Sequence, residues 1–379
     1  MANKTTQSTE QLKAVLGADT IKRILDSGLS ERTLDRFVET IQRGTDDIKL
    51  TEADVSTTGI PLSNISRVRR HHDAGSNSLR QHEVALIILN GGMATRFGGV
   101  AKGIVEIDEQ LSFLGAKLKD ALHCSAQLNA PMPPVFIMCS GATLNPTKKH
   151  LATSEYFGYD PSRVHLFTQC ESIRFNDDGT PYLAKNGEPS FHGTGHGDLL
   201  YCIRELPAFK DFAKHGKAAL LSNVDNVLAT LDLDILGQFL TEAKSVQVEV
   251  VDKNDGDVGG APLLVDGKAE LVEAFRLADG FDHSKVSVFN TNSIWLNPTA
   301  LLDRSIDLPW HKVVKFVDGH PVIQFERLIG EITCFLQTGF LRVERQGTDS
   351  RFIPVKTPQD LNQHRSTIIQ TWKLRQDIL

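Results

Sequence analysis

The strongest constraint on the fold is a series of short, almost wholly apolar runs that recur through the middle of the chain, several of them separated by helix-like stretches. Short runs of this kind are typical of strands buried on both faces, and their alternation with helices indicates a mostly parallel sheet covered on both sides. The sequence therefore predicts an α/β fold with central strands at 84–89, 134–139, 164–167, 218–221 and 246–251.

The segments that flank these runs have a different character. Residues 8–43 have the apolar spacing of helices, and the stretch after Pro358 reads as one terminal helix. The basic patch from Arg67 to His72 is interpreted as a solvated linker, and a phosphate-facing surface is the alternative. Glycine and aspartate turns between 247 and 345 predict hairpins or an added mixed β lip.

Composition excludes several classes of protein. The formal net charge is −6, whereas nucleic-acid binders are usually basic, so no nucleic-acid partner is expected. No apolar run approaches the roughly 20 residues needed to cross a bilayer, and the N-terminus lacks the apolar region of a secretion signal, so no membrane partner is expected. Five scattered cysteines without a C-x-x-C pair indicate a reducing compartment, and we expect a cytoplasmic protein.

The first apolar run leads directly into a glycine-rich loop, residues 90–103, that ends at Lys102-Gly103. Glycines let backbone N–H groups approach a phosphate or a base, and the lysine adds a positive charge. The spacing matches neither the phosphate loop of ATPases nor the dinucleotide fingerprint, which indicates a nucleotide loop of a third kind. A tight strand–loop turn with a surface lysine is an equally open alternative.

A carboxylate follows the strand predicted at 218–221. Asp225 lies there between Asn223 and Asn226, whose amides suit sugar hydroxyls. One carboxylate together with substrate phosphates is the usual way in which proteins hold Mg²⁺. The alternative is that Asp225 caps a helix that begins near Leu228.

Four further residues are candidates for binding a sugar phosphate. His196 lies among glycines before a predicted helix start, where an anion could bind, and the alternative is a flexible loop with an incidental histidine. Asn290 and Asn292 alternate along a strand-like run, so both amides could share one face, or lie on a solvated one. Lys356 could supply a second charge beside Lys102, or be a plain surface lysine. The sequence contains no G-x-S-x-G nucleophile elbow. The amides, glycines, lysines and single carboxylate that it does contain favour phosphoryl or nucleotidyl transfer, which needs alignment and charge neutralisation.

Seven segments between about residues 84 and 361 together resemble the UDP-glucose pyrophosphorylase family (UTP–glucose-1-phosphate uridylyltransferases), in its eukaryotic-type branch. The resemblance implies a Rossmann-like sugar nucleotidyltransferase fold. It also implies that UTP and glucose 1-phosphate, with Mg²⁺, give UDP-glucose and pyrophosphate by in-line attack on the α-phosphorus. The segments are LNGGMATRFGGVAKG, GTGHGD, LLSNVDNVLATLDLDIL, GDVGGAPLLVDGKAELVEAF, FNTNSIWLN, VIQFERLIGEIT and SRFIPVKTPQDL.

The family's pattern also implies roles for individual residues. Lys102, Lys356 and Asp225 would be catalytic, and Asp225 would hold the metal. Apart from the resemblance, the order of helical, polar and apolar segments predicts domains at 1–80 (a helical extension), 81–357 (catalytic) and 358–379 (a helical tail). The nucleotide would contact Leu89, Asn90, Gly91, Gly92, Thr95, Gln169 and Gly195. The sugar and its phosphate would contact His196, Gly197, Asn223, Gly260, Glu273, Asn290 and Asn292.

Two kinds of alternative remain open. A UDP-N-acetylhexosamine pyrophosphorylase or a broad-specificity UDP-sugar pyrophosphorylase would share most of these segments, but His196-Gly197-Asp198 favours the glucose branch. An inactive sugar-nucleotide-binding protein would not need to keep Lys102, Asp225 and Lys356. The chain ends soon after Lys356. We therefore expect no β-helix oligomerisation domain, and a monomer or dimer.

Overall fold

The structure is a computed structural model that describes residues 9–44, 49–108, 111–257 and 259–378, without the side chains of residues 94, 95 and 374–378. The helices are α1 (Thr9–Leu16), α2 (Ala18–Asp26), α3 (Glu31–Arg43), α4 (Arg69–Arg80), α5 (Phe113–Gln127), α6 (Gly141–Thr153), α7 (Leu199–Ile203), α8 (Pro207–Phe212), α9 (Leu233–Glu242) and α10 (Pro358–Ile378). The strands are β1 (Val55–Ser56), β2 (Leu62–Asn64), β3 (Val84–Asn90), β4 (Met93–Ala94), β5 (Val100–Ala101), β6 (Glu106–Asp108), β7 (Leu111–Ser112), β8 (Val135–Cys139), β9 (Val164–Thr168), β10 (Glu171–Ile173), β11 (Phe191–Gly193), β12 (Ala218–Asn223), β13 (Val246–Asp252), β14 (Ala261–Val265), β15 (Lys268–Val272), β16 (Val288–Leu296), β17 (His311–Val317), β18 (His320–Glu326) and β19 (Thr338–Arg342).

An eight-stranded sheet forms the centre of the larger part of the molecule, in the order β2-β19-β13-β16-β12-β3-β8-β9. The pairs β2–β19, β19–β13, β12–β3 and β3–β8 are parallel, and β16 is antiparallel to both of its neighbours. Every residue of β3 and β8 is buried, as expected for strands covered on both faces. The prediction of an α/β fold with a large, mostly parallel sheet is confirmed.

The chain folds into two units. The larger unit comprises residues 49–167, 203–306 and 330–379 and contains the central sheet. Of the described residues, the smaller unit comprises 9–44, 168–202 and 307–329; the predicted N-terminal helices belong to it as α1 to α3. Its core is built around Phe37, whose ring stacks on Phe325 with the centroids 4.2 Å apart. The predicted divisions at residues 80 and 357 remain predictions.

The basic patch is solvent-exposed as predicted, apart from the buried His71, but it is not a linker, because most of it lies in helix α4, which packs on α9. A Cβ on Gly237 would lie 1.7 Å from the carbonyl oxygen of His71, so only glycine allows this crossing. Arg67, just before the helix, donates to Asp232 and Asp234 at 2.9 Å each. Two carboxylates thus neutralise Arg67, while the phosphate-facing alternative for the exposed remainder of the patch stays a prediction.

The hairpins predicted for the later part of the chain are present. Strands β14 and β15 pair antiparallel and β1 adds a third antiparallel strand, while β17 and β18 form a separate hairpin. These small sheets are antiparallel rather than mixed. Short turns join β14 to β15 and β17 to β18, which makes those pairs antiparallel, whereas β1 reaches β14 from a distant part of the chain. The predicted terminal helix is α10. Among the described helices, none is both long and apolar enough to span a bilayer.

Candidate active site

The glycine-rich loop and the loop that carries Asp225 begin side by side. Strands β3 and β12 are adjacent and parallel, and their register pairs Leu89 with Asn223. The N–H group of Val224 donates to the carbonyl of Leu89 at 3.1 Å. Both loops therefore leave the sheet at the carboxyl ends of neighbouring strands, the edge where ligands bind in sheets of this kind.

Asn90 holds the glycine-rich loop together. Its side chain is fully buried, donates to Thr147 Oγ1 at 2.9 Å and accepts from the N–H of Gly103 at 3.0 Å. A Cβ on Gly103 would lie 2.6 Å from Asn90 Oδ1. One buried amide thus ties the start of the loop to its end, and the side chain of Asn90 supports the loop from beneath.

The remaining nucleotide candidates of this loop are backbone groups. Gly91 is half-buried, and Gly92 is exposed with nothing within 4 Å of the position a Cβ would take. Its carbonyl accepts from the N–H of Lys102 at 3.4 Å, which closes the loop. Thr95 lies in a short 3-10 turn, and its side chain is outside the described residues.

The ammonium of Lys102 forms an ion pair with the carboxylate of Asp225, and both side chains are largely buried. The two charged residues predicted from separate motifs therefore meet. The helix-cap alternative for Asp225 is wrong, because the next helix of eight residues or more begins at Leu233. Asp232 caps it, accepting from the N–H groups of residues 234 and 235 at 3.0 Å each.

The predicted sugar-contacting residues of the larger unit form a continuous chain. Asn292 Nδ2 donates to Asn223 Oδ1 at 2.8 Å, and the N–H of Asn292 donates to Asn290 Oδ1 at 2.9 Å. The N–H of Asn290 donates to the carbonyl of Gly260 at 2.9 Å, and a Cβ on Gly260 would lie 2.8 Å from Glu273 Oε1. The structure brings all five together, and their hydrogen bonds and partial burial exclude a solvated strand face.

Strand alternation is not what brings Asn290 and Asn292 together, so the reason predicted for their proximity is wrong. That prediction requires a regular strand, whereas Asn292 has φ of 56°, in the left-handed region, and the pairing of β13 with β16 shifts register after Glu249. The bulge lets the backbone of Asn292 reach the side chain of Asn290.

Lys356 lies apart from the Lys102–Asp225 pair. Its side chain is exposed, and its backbone N–H donates to Asp360 at 2.9 Å. Within the described residues no contact joins Lys356 to Lys102. The charge of Lys356 instead acts on Asp257. Burial alone would raise the pKa of Asp257, but the hydrogen bond from Arg345 lowers it, and the charge of Lys356 lowers it further.

The predicted site residues of the smaller unit form their own cluster. Gln169 packs against Gly193, where a Cβ would lie 1.5 Å from Gln169 Nε2. Gly195 has φ of 93°, and the N–H of Gly197 donates to the carbonyl of Arg327 at 2.8 Å. His196 Nδ1 accepts from the N–H of Ile329 at 3.0 Å, and burial lowers its pKa to about 4. The structure therefore places His196 in a short 3-10 turn with a hydrogen-bonded ring, and its predicted role stays a prediction.

Sequence reasoning missed the residue that fastens this cluster. The guanidinium of Arg327 donates to Asp198 at 2.6 and 3.1 Å and stacks over the rings of Tyr201 and Trp310. The pair spans 129 residues of sequence, so no local pattern signals it.

A second missed group lies beneath the Asp225 loop. Lys117 of α5 is buried and donates to Ser222 Oγ at 3.0 Å and to the carbonyl of Ala229 at 2.8 Å. Arg351 donates to Glu249 at 2.7 Å through both Nε and Nη2. Lysine and arginine are usually surface residues, so the sequence gives no sign that Lys117 and Arg351 are buried.

The carboxylate of Asp225 is of the chemical kind that magnesium takes as a ligand. The described residues contain no cluster of three or more histidine, cysteine, aspartate or glutamate side chains able to hold a metal. Mg²⁺ requires no such cluster, because it keeps several waters and takes further oxygen ligands from substrate phosphates. Asp225 offers one such oxygen donor, and in the structure its carboxylate is paired with the ammonium of Lys102.

Comparison with known proteins gives consistent matches. A family model described as UTP–glucose-1-phosphate uridylyltransferase matches residues 32–376. Curated UTP–glucose-1-phosphate uridylyltransferases from Encephalitozoon cuniculi and Dictyostelium discoideum are each 29% identical over 74% of this chain. The chain spans 57% of the length of each of these two relatives.

Solved structures with similar folds include two from Trypanosoma brucei. A UDP-glucose phosphorylase matches with a TM-score of 0.75 and 23% identity over 91% of this chain and 78% of that one. A UDP-N-acetylglucosamine pyrophosphorylase matches with a TM-score of 0.75 and 18% identity over 95% of this chain and 82% of that one. Two enzymes whose names specify different sugars thus fit this fold equally well.

Proposed function

The chain belongs to the UTP–glucose-1-phosphate uridylyltransferase family, and from that premise we propose that it forms UDP-glucose and pyrophosphate from UTP and glucose 1-phosphate. The observation that carries the proposal is the meeting of Lys102 with Asp225, beside the polar chain from Asn223 to Glu273. Transfer of a nucleotidyl group to a sugar phosphate requires a cation, a carboxylate and hydroxyl-binding polar groups held close together.

We assign a different role in this reaction to each of several residues of the larger unit. An oxygen of the sugar phosphate attacks the α-phosphorus of UTP, the new P–O bond forms, and the bond to the pyrophosphate oxygen breaks. Lys102 neutralises charge on the phosphates, and Asn223, Asn292 and Glu273 bind hydroxyl groups. Asp225 is the residue that would hold Mg²⁺, which when bound supplies further charge neutralisation. Lys356 is assigned to the phosphate of the incoming sugar.

The remaining assignments belong to the same proposal. In the smaller unit, Gln169 and Gly195 are assigned to the nucleotide, and His196 and Gly197 to the sugar or its phosphate. The neutral imidazole of His196 accepts at Nδ1, which leaves Nε2–H as its donor. The fold is proposed to be a Rossmann-like sugar nucleotidyltransferase, and the protein to be a cytoplasmic monomer or dimer.

A different sugar is the second candidate, because a UDP-N-acetylglucosamine pyrophosphorylase matches the fold with the same TM-score as a UDP-glucose enzyme. Pyrophosphate release from UTP should be measured in parallel with the 1-phosphates of glucose, galactose and N-acetylglucosamine. Fastest release with glucose 1-phosphate supports the proposal, and preference for another sugar replaces it with the alternative. Binding of UDP-glucose without any turnover would indicate the inactive binding protein.

Asp225→Asn is the sharpest test of the metal assignment. It keeps the shape of the side chain but removes its charge, so Mg²⁺-dependent turnover should fall by a factor on the order of 100 or more. Asp211→Asn is the matched control, since Asp211 is an exposed aspartate that pairs with Lys214 at 2.9 Å. Near-normal turnover of Asp225→Asn would overturn the assignment.

A further inference from the structure

Helix α5 carries a lysine that the proposed chemistry does not use. Lys117 is only 4% exposed, and its ammonium donates to Ser222 Oγ at 3.0 Å and to the carbonyl of Ala229 at 2.8 Å. Ser222 lies at the end of β12, three residues before Asp225, and Ala229 lies four residues after it. One buried amine therefore joins the two ends of the segment that carries Asp225.

The same helix makes a third contact with this segment. Asp120, one turn further along α5, accepts from the N–H of Leu231 at 2.9 Å. Helix α5 also bounds the region that follows the glycine-rich loop, since the N–H of Phe113 donates to the carbonyl of Val105 at 3.1 Å. The loop that bears Lys102 and the loop that bears Asp225 thus rest on one helix.

Packing alone does not explain an amine at this position. Burial lowers the pKa of Lys117 to about 7, and the charge of Arg351 lowers it further, although the carboxylates of Asp120, Asp225 and Glu249 raise it. Removing a charged group from water costs free energy, whereas methionine would occupy similar space without that cost. What the amine provides is two directed hydrogen bonds to the Asp225 segment.

We propose that Lys117 is a positioning residue, which fixes the Asp225 segment through Ser222 and Ala229 and thereby sets the affinity of Asp225 for a divalent cation. The inference deepens the proposed function, since it rests on Asp225 as the metal ligand. Lys117 acts through backbone and hydroxyl groups and touches neither the cation nor the substrate.

The test compares Lys117→Met with Lys119→Met, the same substitution at a half-buried lysine on the same helix. Binding of Mn²⁺ is followed by electron paramagnetic resonance, with and without UDP-glucose, and amide exchange is measured across residues 223–231 in the ligand-free protein. Lys117→Met should weaken Mn²⁺ binding on the order of 10- to 100-fold, as is typical when the support of a metal ligand is lost. Exchange at residues 224–231 should become faster, and Lys119→Met should change neither quantity.

Kinetic constants distinguish a positioning role from a general loss of structure, because positioning should affect the Mg²⁺ dependence of turnover but not the KM for the sugar phosphate. Lys117→Met should raise the Mg²⁺ concentration for half-maximal turnover while the KM for glucose 1-phosphate stays within about 2-fold, because the chain from Asn223 through Asn292 to Glu273 has its own hydrogen bonds. Equal losses in every constant, or unchanged cation binding and exchange, would overturn the inference. If Lys117→Met does not fold, Ser222→Ala removes one of the two bonds and should shift the same readouts by a smaller factor.

Failure of the proposed reaction can be distinguished from failure of the positioning role of Lys117. An enzyme inactive with every sugar phosphate fails the proposed reaction, yet Mn²⁺ binding and exchange can still be measured. Weaker Mn²⁺ binding together with faster exchange in Lys117→Met would then support the positioning role alone, and unchanged values would refute it.

Discussion

The ion pair between Lys102 and Asp225 means that the group assigned to the phosphates and the group assigned to the metal satisfy each other in the structure. The carboxylate holds an internal cation where we propose a metal, and the ammonium holds an internal anion where we propose a phosphate. Because both partners must exchange together, binding of the cation and of the nucleotide should be coupled favourably.

Lys102→Met tests this coupling. Turnover should fall by a factor on the order of 100 or more, because a charge aimed at the phosphates is lost. Mn²⁺ binding without nucleotide should instead become tighter than in the wild type, since the carboxylate of Asp225 no longer has a competing partner. Electron paramagnetic resonance gives the second quantity, and weaker Mn²⁺ binding in the variant would contradict the coupling.

The lowered pKa of His196 predicts that the free energy of unfolding decreases in acid. Burial lowers its pKa from an ordinary 6.5 to about 4, and protonation at Nδ1 would remove the acceptor that the N–H of Ile329 uses. Because the unfolded chain binds the proton first, the stability that neutral His196 contributes is present above pH 6.5 and is lost as the pH falls towards 4. A loss of roughly 1–3 kcal/mol is expected over this window.

Urea unfolding between pH 7 and 4 measures this effect. His196→Asn keeps an acceptor near the Nδ1 position but does not titrate, so it should lose less stability than the wild type over the window. His320→Asn, at an exposed histidine, is the matched control and should follow the wild type. Parallel curves for all three proteins would show that His196 does not govern this window.

At the scale of elements, the crossing of α4 and α9 depends on two glycines. A Cβ on Gly75 would lie 2.0 Å from the carbonyl oxygen of Leu233, and one on Gly237 would lie 1.7 Å from that of His71. Backbone atoms cannot move aside as a flexible side chain can, so the helices would have to separate.

Gly237→Ala should therefore destabilise the protein by about 1–3 kcal/mol, although alanine favours a helix over glycine by about 1 kcal/mol. Thermal and urea unfolding measure the change in the free energy of unfolding. Gly339→Ala is the control, because a Cβ there meets its nearest neighbour, Lys244, at an ordinary 3.7 Å. An unchanged or stabilised Gly237→Ala variant would show that the crossing tolerates a side chain.

The elements that could be predicted are those with a local signal. Runs such as Val84–Leu89 are apolar at every position, which a strand buried on both faces requires, and β3 lies there. Helix α4 escapes prediction because its sequence is polar and its burial depends on a glycine contact with a helix more than 150 residues away. Local composition cannot report a partner that distant.

The same limit applies to the candidate site. Lys102 and Asp225 stand next to glycine or strand-end signals and could be named from the sequence. Their supports could not, because Lys117 is one of several lysines in the chain and only the fold buries it. The left-handed conformation of Asn292 could not be predicted either, because strand periodicity assumes a regular extended backbone.

At the scale of the whole molecule, a net charge of −6 accompanies a proposed pair of highly anionic substrates. Long-range attraction therefore does not favour their binding, and affinity must come from local groups such as Lys102 and the backbone N–H groups of the glycine loop. Binding that depends on local contacts should discriminate strongly between ligands that carry equal charge.

Thermal unfolding with different ligands tests this discrimination without requiring turnover. A ligand that binds only the folded chain stabilises it by about 2.7 kcal/mol at 100 times its Kd, which raises Tm by a few degrees for a chain of this size. UDP-glucose with Mg²⁺ should give that shift, whereas UDP-N-acetylglucosamine at equal concentration and equal charge should give a clearly smaller one. Equal shifts would mean that the polar chain from Asn223 to Glu273 does not select the sugar. A larger shift with the acetylated sugar would transfer the assignment to that substrate, because the difference between the two ligands lies only in the group that those residues are proposed to contact.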